Sequence, residues 1–89
     1  MKTAVFFGAG QIGAMVARLT GTSFVPLCFA DNYEPKWGTV LAGLPVRSPE
    51  EALSLSPDSV FLCVLDSERA GQMEAQLRSM GYAGETIRP

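Results

Sequence analysis

An apolar run, Thr3 to Phe7 (TAVFF), stops at Gly8, and two further glycines follow at Gly10 and Gly13. A continuous apolar pentapeptide predicts a short strand covered on both faces. The segment from Gln11 to Leu19 predicts a helix, with Ile12, Met15, Val16 and Leu19 at helical spacing as one apolar stripe. Thr20-Gly21 ends it, with Gly21 expected in the left-handed C-terminal position. The three glycines therefore fall in a strand-to-helix turn. A strand that feeds a helix in this way demands a second, parallel strand beside the first, so the turn points to an α/β sheet.

The rest of the chain supplies those strands. Phe24 to Ala30 (FVPLCFA) predicts the second, with good pairing only from Pro26 onward, because proline cannot donate to a ladder. Asn32 to Gly38 is a loop. Thr39 to Val46 predicts short strand pieces interrupted by Gly43 and Pro45. Ser48-Pro49-Glu50-Glu51 is a strong helix start, since Ser48 can cap, Pro49 suits the first turn and Glu51 can return a bond to the cap. That helix runs to about Leu55. Ser59 to Leu65 (SVFLCVL) is the clearest buried strand. A helix capped by Asp66 or Ser67 then reaches Met80 on a stripe of Ala70, Met73, Leu77 and Met80, and Gly81 ends it. Thr86-Ile87 begins one more short strand. The alternation predicts a Rossmann-like three-layer α/β/α domain over residues 1–89 with a small parallel sheet, or a truncated doubly wound one.

The pattern Gly8-Ala9-Gly10-Gln11-Ile12-Gly13 reads G-x-G-x-x-G in the context that its chemistry needs. Gly8 allows the turn, Gly10 lets backbone approach a diphosphate, and Gly13 lets the helix pack on the strand. The free N–H groups of the helix's first turn then suit an anion without a basic residue in the loop. Asp31 lies 21 positions after Gly10, close to the roughly 20 expected of the acid that accepts the ribose hydroxyls of an adenosine. Its charge would repel a 2′-phosphate, and no arginine stands beside it in sequence, so NAD is expected over NADP. Asn32, Lys36 and Val64 are further expected ligand contacts: the first two on the loop after the acid, the third near the carboxyl end of the third main strand. The same glycines would also serve tight packing alone, and Asp31 a loop cap. Trp37 suits an adenine or sugar, a plugged domain edge or a partner.

Other chemistries find little support. The 89 residues contain no histidine and no C-x-x-C, which removes the usual triads and zinc sites. No Y-x-x-x-K pair is present, and Glu50, Glu51 and Glu68 read as helix-start charges. Net charge is −2, so no nucleic-acid partner is expected. No apolar stretch reaches the ~18 residues of a membrane span, and the N-terminus lacks a signal-peptide pattern, so a cytoplasmic location is expected. Cys28 and Cys63 should sit two strand spacings apart, about 9.6 Å, too far for a disulfide, and Cys63 suits core packing best.

The combination GAGQIG, FAD, EPKWGTVLAGLPVRSPEEAL and SVFLCVL resembles the Rossmann-like domains of bacterial surface-polysaccharide and nucleotide-sugar proteins. Among them are the N-terminal domains of nucleotide-sugar dehydratases and of sugar O-acyltransferases. The shared signature is an acid after the second strand, Lys36-Trp37-Gly38, Gly43-Leu44-Pro45-Val46 and Ser48-Pro49-Glu50-Glu51. The resemblance implies binding of NAD or of a UDP-sugar beside a second catalytic domain, with Gly8, Gly10, Gly13 and Asp31 as contacts. A homodimer or a fused catalytic domain is expected to cover the sheet's open edge.

Overall fold

The computed structural model describes residues 1–89. The chain runs β1 (Thr3–Phe7), α1 (Gln11–Thr20), β2 (Val25–Ala30), a single 3-10 turn (Glu34–Lys36), β3 (Val40–Leu41), β4 (Leu44–Arg47), α2 (Pro49–Ser54), β5 (Ser59–Leu62), α3 (Ser67–Ser79) and β6 (Glu85–Ile87). The strands form one sheet in the order β3-β4-β2-β1-β5-β6. Five run parallel, and β3 is antiparallel to β4 at the edge. The expected all-parallel sheet is thus a mixed one. Its extra strand comes from a two-residue turn at Ala42-Gly43, both left-handed, the conformation that matches strand twist in a hairpin. Pro45 does not break β4. It lies within the strand, opposite Val40.

Strand alternation sorts the core into two layers. Val5, Phe7, Cys28, Ala30, Val60 and Leu62 face Ala52 of α2 and Ala70, Met73 and Leu77 of α3. Ala4, Phe6, Phe29, Val46 and Phe61 face Val16 and Ala17 of α1. The second layer is largely aromatic. Phe6 stacks on Phe61 at 5.3 Å between centroids, and Phe24 meets Phe61 edge-on at 5.1 Å, arrangements worth about 0.5–1.5 kcal/mol each beyond burial.

Several boundaries differ from expectation for identifiable reasons. The stripe foreseen on α1 splits: Gly13, Ala14, Val16 and Ala17 turn inward, while Met15 is 47% and Leu19 74% exposed. Gly13 packs so tightly that it fixes the rotation of α1, and the small residues become the buried face. Gly21 is right-handed, at φ −62°, because the chain continues through a further turn in which Phe24 N–H donates to Thr20 C=O at 3.1 Å. The β1–β2 register shifts between Ala4 and Val5, which pair with Pro26 and Cys28, so Leu27 is the extra residue of a bulge that accommodates the proline. β5 ends at Leu62. Leu65 is exposed, since the chain there already turns toward α3. Met80 lies beyond the end of α3 and is partly exposed, not buried.

The helix starts follow the sequence closely. Ser48 Oγ accepts from Glu51 N–H at 3.1 Å, and Asp66 Oδ1 from Glu68 N–H at 2.9 Å. No helix is long and apolar enough to cross a membrane.

Cys28 and Cys63 are both free and buried, and they belong to the layers on opposite faces of the sheet. Burial pushes the Cys63 thiol up to about 12 and raises that of Cys28. The native state therefore holds protons that an unfolded thiol, with pKa about 8.5, releases. Stability from this source is complete below pH ~8.5 and falls as the pH rises toward 12. We expect iodoacetamide at pH 8 to leave both thiols unmodified in the native protein and to label both in denaturant, as read by intact mass. Rapid native labelling would show that the strands do not bury them.

Candidate functional site

The site is built at the carboxyl ends of β1, β2 and β5. Gly8 leaves β1 at φ +116°, a conformation costly for any side chain, and its N–H donates to Ala30 C=O at 2.8 Å. A Cβ on Gly13 would collide with the Gly8 carbonyl and lie 3.0 Å from the Phe29 ring. These two glycines are thus required by the fold itself. Gly10 is different. Its φ of −126° suits any residue, and a Cβ there would meet nothing within 4 Å. Neither packing nor backbone conformation explains a glycine at this position. The glycine leaves bare backbone open to the space beside the helix start.

The amides point the same way. Ala14 N–H donates to Gly10 C=O at 3.0 Å, closing the first helical bond. The N–H groups of Gly10, Gln11, Ile12 and Gly13 donate to no protein group, and Gly10 provides no side-chain cap. α1 also has no acidic residue in its first turn, whereas α2 and α3 each have both a capping side chain and first-turn acids. Among the three helices only α1 leaves its positive end open, the condition for an anion at a helix start.

Asp31 stands at the end of β2 and fastens the loop. Its Oδ2 accepts from Ala9 N–H at 2.8 Å and its Oδ1 from Tyr33 N–H at 2.8 Å. Each oxygen keeps a further lone pair free to accept another donor. Lys36, brought back by the 3-10 turn, donates from Nζ to Ala9 C=O at 2.8 Å. Both polar groups of Ala9 are therefore held. The Trp37 indole N–H donates to the backbone carbonyl of Asp31 at 2.6 Å, so Trp37 straps the loop to β2. Val64 lines a crevice of about 100 Å³ with Phe7, Gly8, Asp31, Asn32, Arg69 and Met73. The Asn32 amide turns away to Gln76 of α3, in a reciprocal pair at 2.9 and 2.8 Å, and forms the rim.

All ten sequence-predicted positions thus gather at one end of the sheet. Two residues were missed. Arg69 lines the crevice from the first turn of α3, and Gln76 anchors Asn32. A usable signal existed for Arg69: it lies three positions after the Asp66 cap, in the first turn of the helix that follows β5, at the carboxyl end of the sheet. No arginine stands beside Asp31 in sequence, but Arg69 shares its crevice in space. A larger cavity of about 460 Å³ is lined by Asn32 and Gln76 together with Trp37, Ser48, Glu50 and Met80. Neither cavity is lined by Gly10 to Gly13, and the smaller crevice borders the glycine loop at Gly8.

The chain matches, with a TM-score of 0.76 at 21% identity, UDP-D-quinovosamine 4-dehydrogenase from Vibrio fischeri, over 97% of this chain and 77% of that one. Its fold is Rossmann-like. The Rossmann-like sheet also matches RSP, a Rex-family repressor, with a TM-score of 0.73 at 19% identity over all of this chain and 46% of that one. The same repressor in complex with beta-NAD+ and operator DNA gives 0.67 at 15% identity, with 44% of that chain covered. The chain thus spans less than half the length of the repressor. At these identities the likeness is one of fold. No family model matches the chain, and no curated protein does.

Proposed function

We propose that this Rossmann-like domain binds NAD(H), with the diphosphate on the open amides of Gly10 to Gly13 and the adenosine ribose on Asp31. The observation that carries the reading is Gly10, a glycine the fold does not need, at the only uncapped helix start. Two contexts suit such a module: a cofactor-sensing part of a larger protein, or the cofactor half of a nucleotide-sugar oxidoreductase or epimerase. The first is supported by the likeness to a repressor crystallised with NAD+, the second by the likeness to a UDP-sugar dehydrogenase. The net charge of −2 argues against DNA contact by this domain itself. A homodimer or a fused catalytic domain would cover the exposed edge at Val40.

The test is a thermal shift series with NAD, NADP, UDP-sugars and coenzyme A. At 100 times its dissociation constant NAD should add about 2.7 kcal/mol, or a rise of roughly 11–22 °C at 4–8 °C per kcal/mol. A response to UDP-sugars alone would replace this reading with a transferase's sugar-nucleotide module. No response to any of the four would leave an interaction module without a ligand.

A further inference from the structure

The cavity of about 460 Å³ lies between the loop after β2, the start of α2 and the end of α3, and none of the open amides of α1 lines it. Its volume falls within the roughly 300–1,000 Å³ of ligand pockets. Its lining has one sign. Glu50 is the only charged residue there, and its carboxylate enters no ion pair, unlike those of Glu51, Glu74 and Glu85. Arg47 is committed to Glu51 at 3.4 Å and lines a different cavity.

The neutral groups carry the same bias. The Asn32 and Gln76 amides bind each other, so each amide oxygen accepts one bond and keeps a second lone pair. Ser48 Oγ accepts from Glu51 N–H, and Pro49 has no N–H to give, so the start of α2 holds little for an anion. The Trp37 indole N–H donates to the Asp31 carbonyl. What Trp37 leaves to the cavity is a tethered ring whose face is electron-rich. A free carboxylate, spare oxygen lone pairs and an indole ring together receive a cation that carries a carbon surface.

We infer that this cavity binds an organic ammonium ion, with Glu50 as its counter-charge and Trp37 as its aromatic wall. A hard metal ion is less well served, because it demands several anionic oxygens and no second carboxylate lines the cavity. A phosphate is repelled by Glu50. The site is thus distinct from the proposed dinucleotide site, although Asn32 lines both cavities, and the inference does not rest on NAD binding.

Trp37 is the only tryptophan of the chain, so its fluorescence reads the occupancy of this cavity. The full chain is titrated with choline chloride at constant ionic strength, and separately with 3,3-dimethylbutan-1-ol, the uncharged carbon analogue of choline. Choline should give a saturable change, with half-saturation at least about fivefold below that of the alcohol. Glu50→Gln, at an exposed position, should raise the choline value at least about threefold and leave the response to the alcohol unmoved. Glu51→Gln should change neither. Equal values for choline and the alcohol would overturn the inference and leave an apolar depression. The absence of any saturable change, or a Glu50→Gln variant that takes choline as the wild type does, would overturn it too. Should Glu50→Gln fail to fold, the comparison of the two probes on the wild type decides alone. Nucleotide binding is read separately, so failure here leaves the NAD reading standing.

Discussion

Gly13→Val should unfold much of the protein at temperatures where the wild type is intact. The added side chain would occupy the place of the Gly8 carbonyl and press on Phe29, a fully buried ring in the aromatic layer. Neither neighbour can yield cheaply. The carbonyl belongs to the turn that Gly8 makes at φ +116°, and the Phe29 ring is packed 5.6 Å from that of Phe6. Overpacking of a close-packed core costs about 1–3 kcal/mol and more where backbone is struck. A domain of this length has roughly 4–13 kcal/mol in all, at about 0.05–0.15 kcal/mol per residue. A loss of about 3 kcal/mol lowers the Tm by roughly 12–24 °C, which circular dichroism on heating would show. A variant that melts within a few degrees of the wild type would mean that α1 does not sit on β1 as described.

Gly10→Asp should do the opposite to stability and abolish binding. The position has room for a side chain and an ordinary extended backbone. An aspartate there would cap the open helix start, accept from the free amides and meet the positive end of α1, gaining about 1 kcal/mol. The Tm should rise by roughly 4–8 °C. The same carboxylate would lie where the diphosphate is proposed to rest. NAD affinity should fall at least 100-fold, which corresponds to about 2.8 kcal/mol. The pairing of the two results is what matters. A variant that gains stability and still binds NAD with wild-type affinity would remove the glycine loop from the site, while Gly13→Val would remain purely structural.

The sequence was most informative where one residue type has one physical use. The strand–glycine–helix order, the Ser48 and Asp66 caps, and the buried run around Phe61 could all be foreseen, because periodicity and capping are local. The placement of Asp31 beside the glycine loop was legible through its spacing from Gly10. The rotation of α1 was not, since hydropathy favours Met15 and Leu19 for burial and only the contact of Gly13 with a distant strand overrules it. The β3–β4 hairpin escaped because Ala42 is not a usual left-handed residue and Pro45 looks like an interruption. Arg69 was hidden for a related reason. It is brought into the crevice that Asp31 lines by a helix 38 residues further along the chain, and no local pattern encodes that distance.

The double hold on Ala9 has a kinetic consequence. With its N–H on Asp31 and its carbonyl on Lys36, the peptide that precedes Gly10 is oriented before any guest arrives. Were an anion to dock there as proposed, little chain entropy would be left to lose on association, and capture would run at a rate governed by diffusion and mutual orientation.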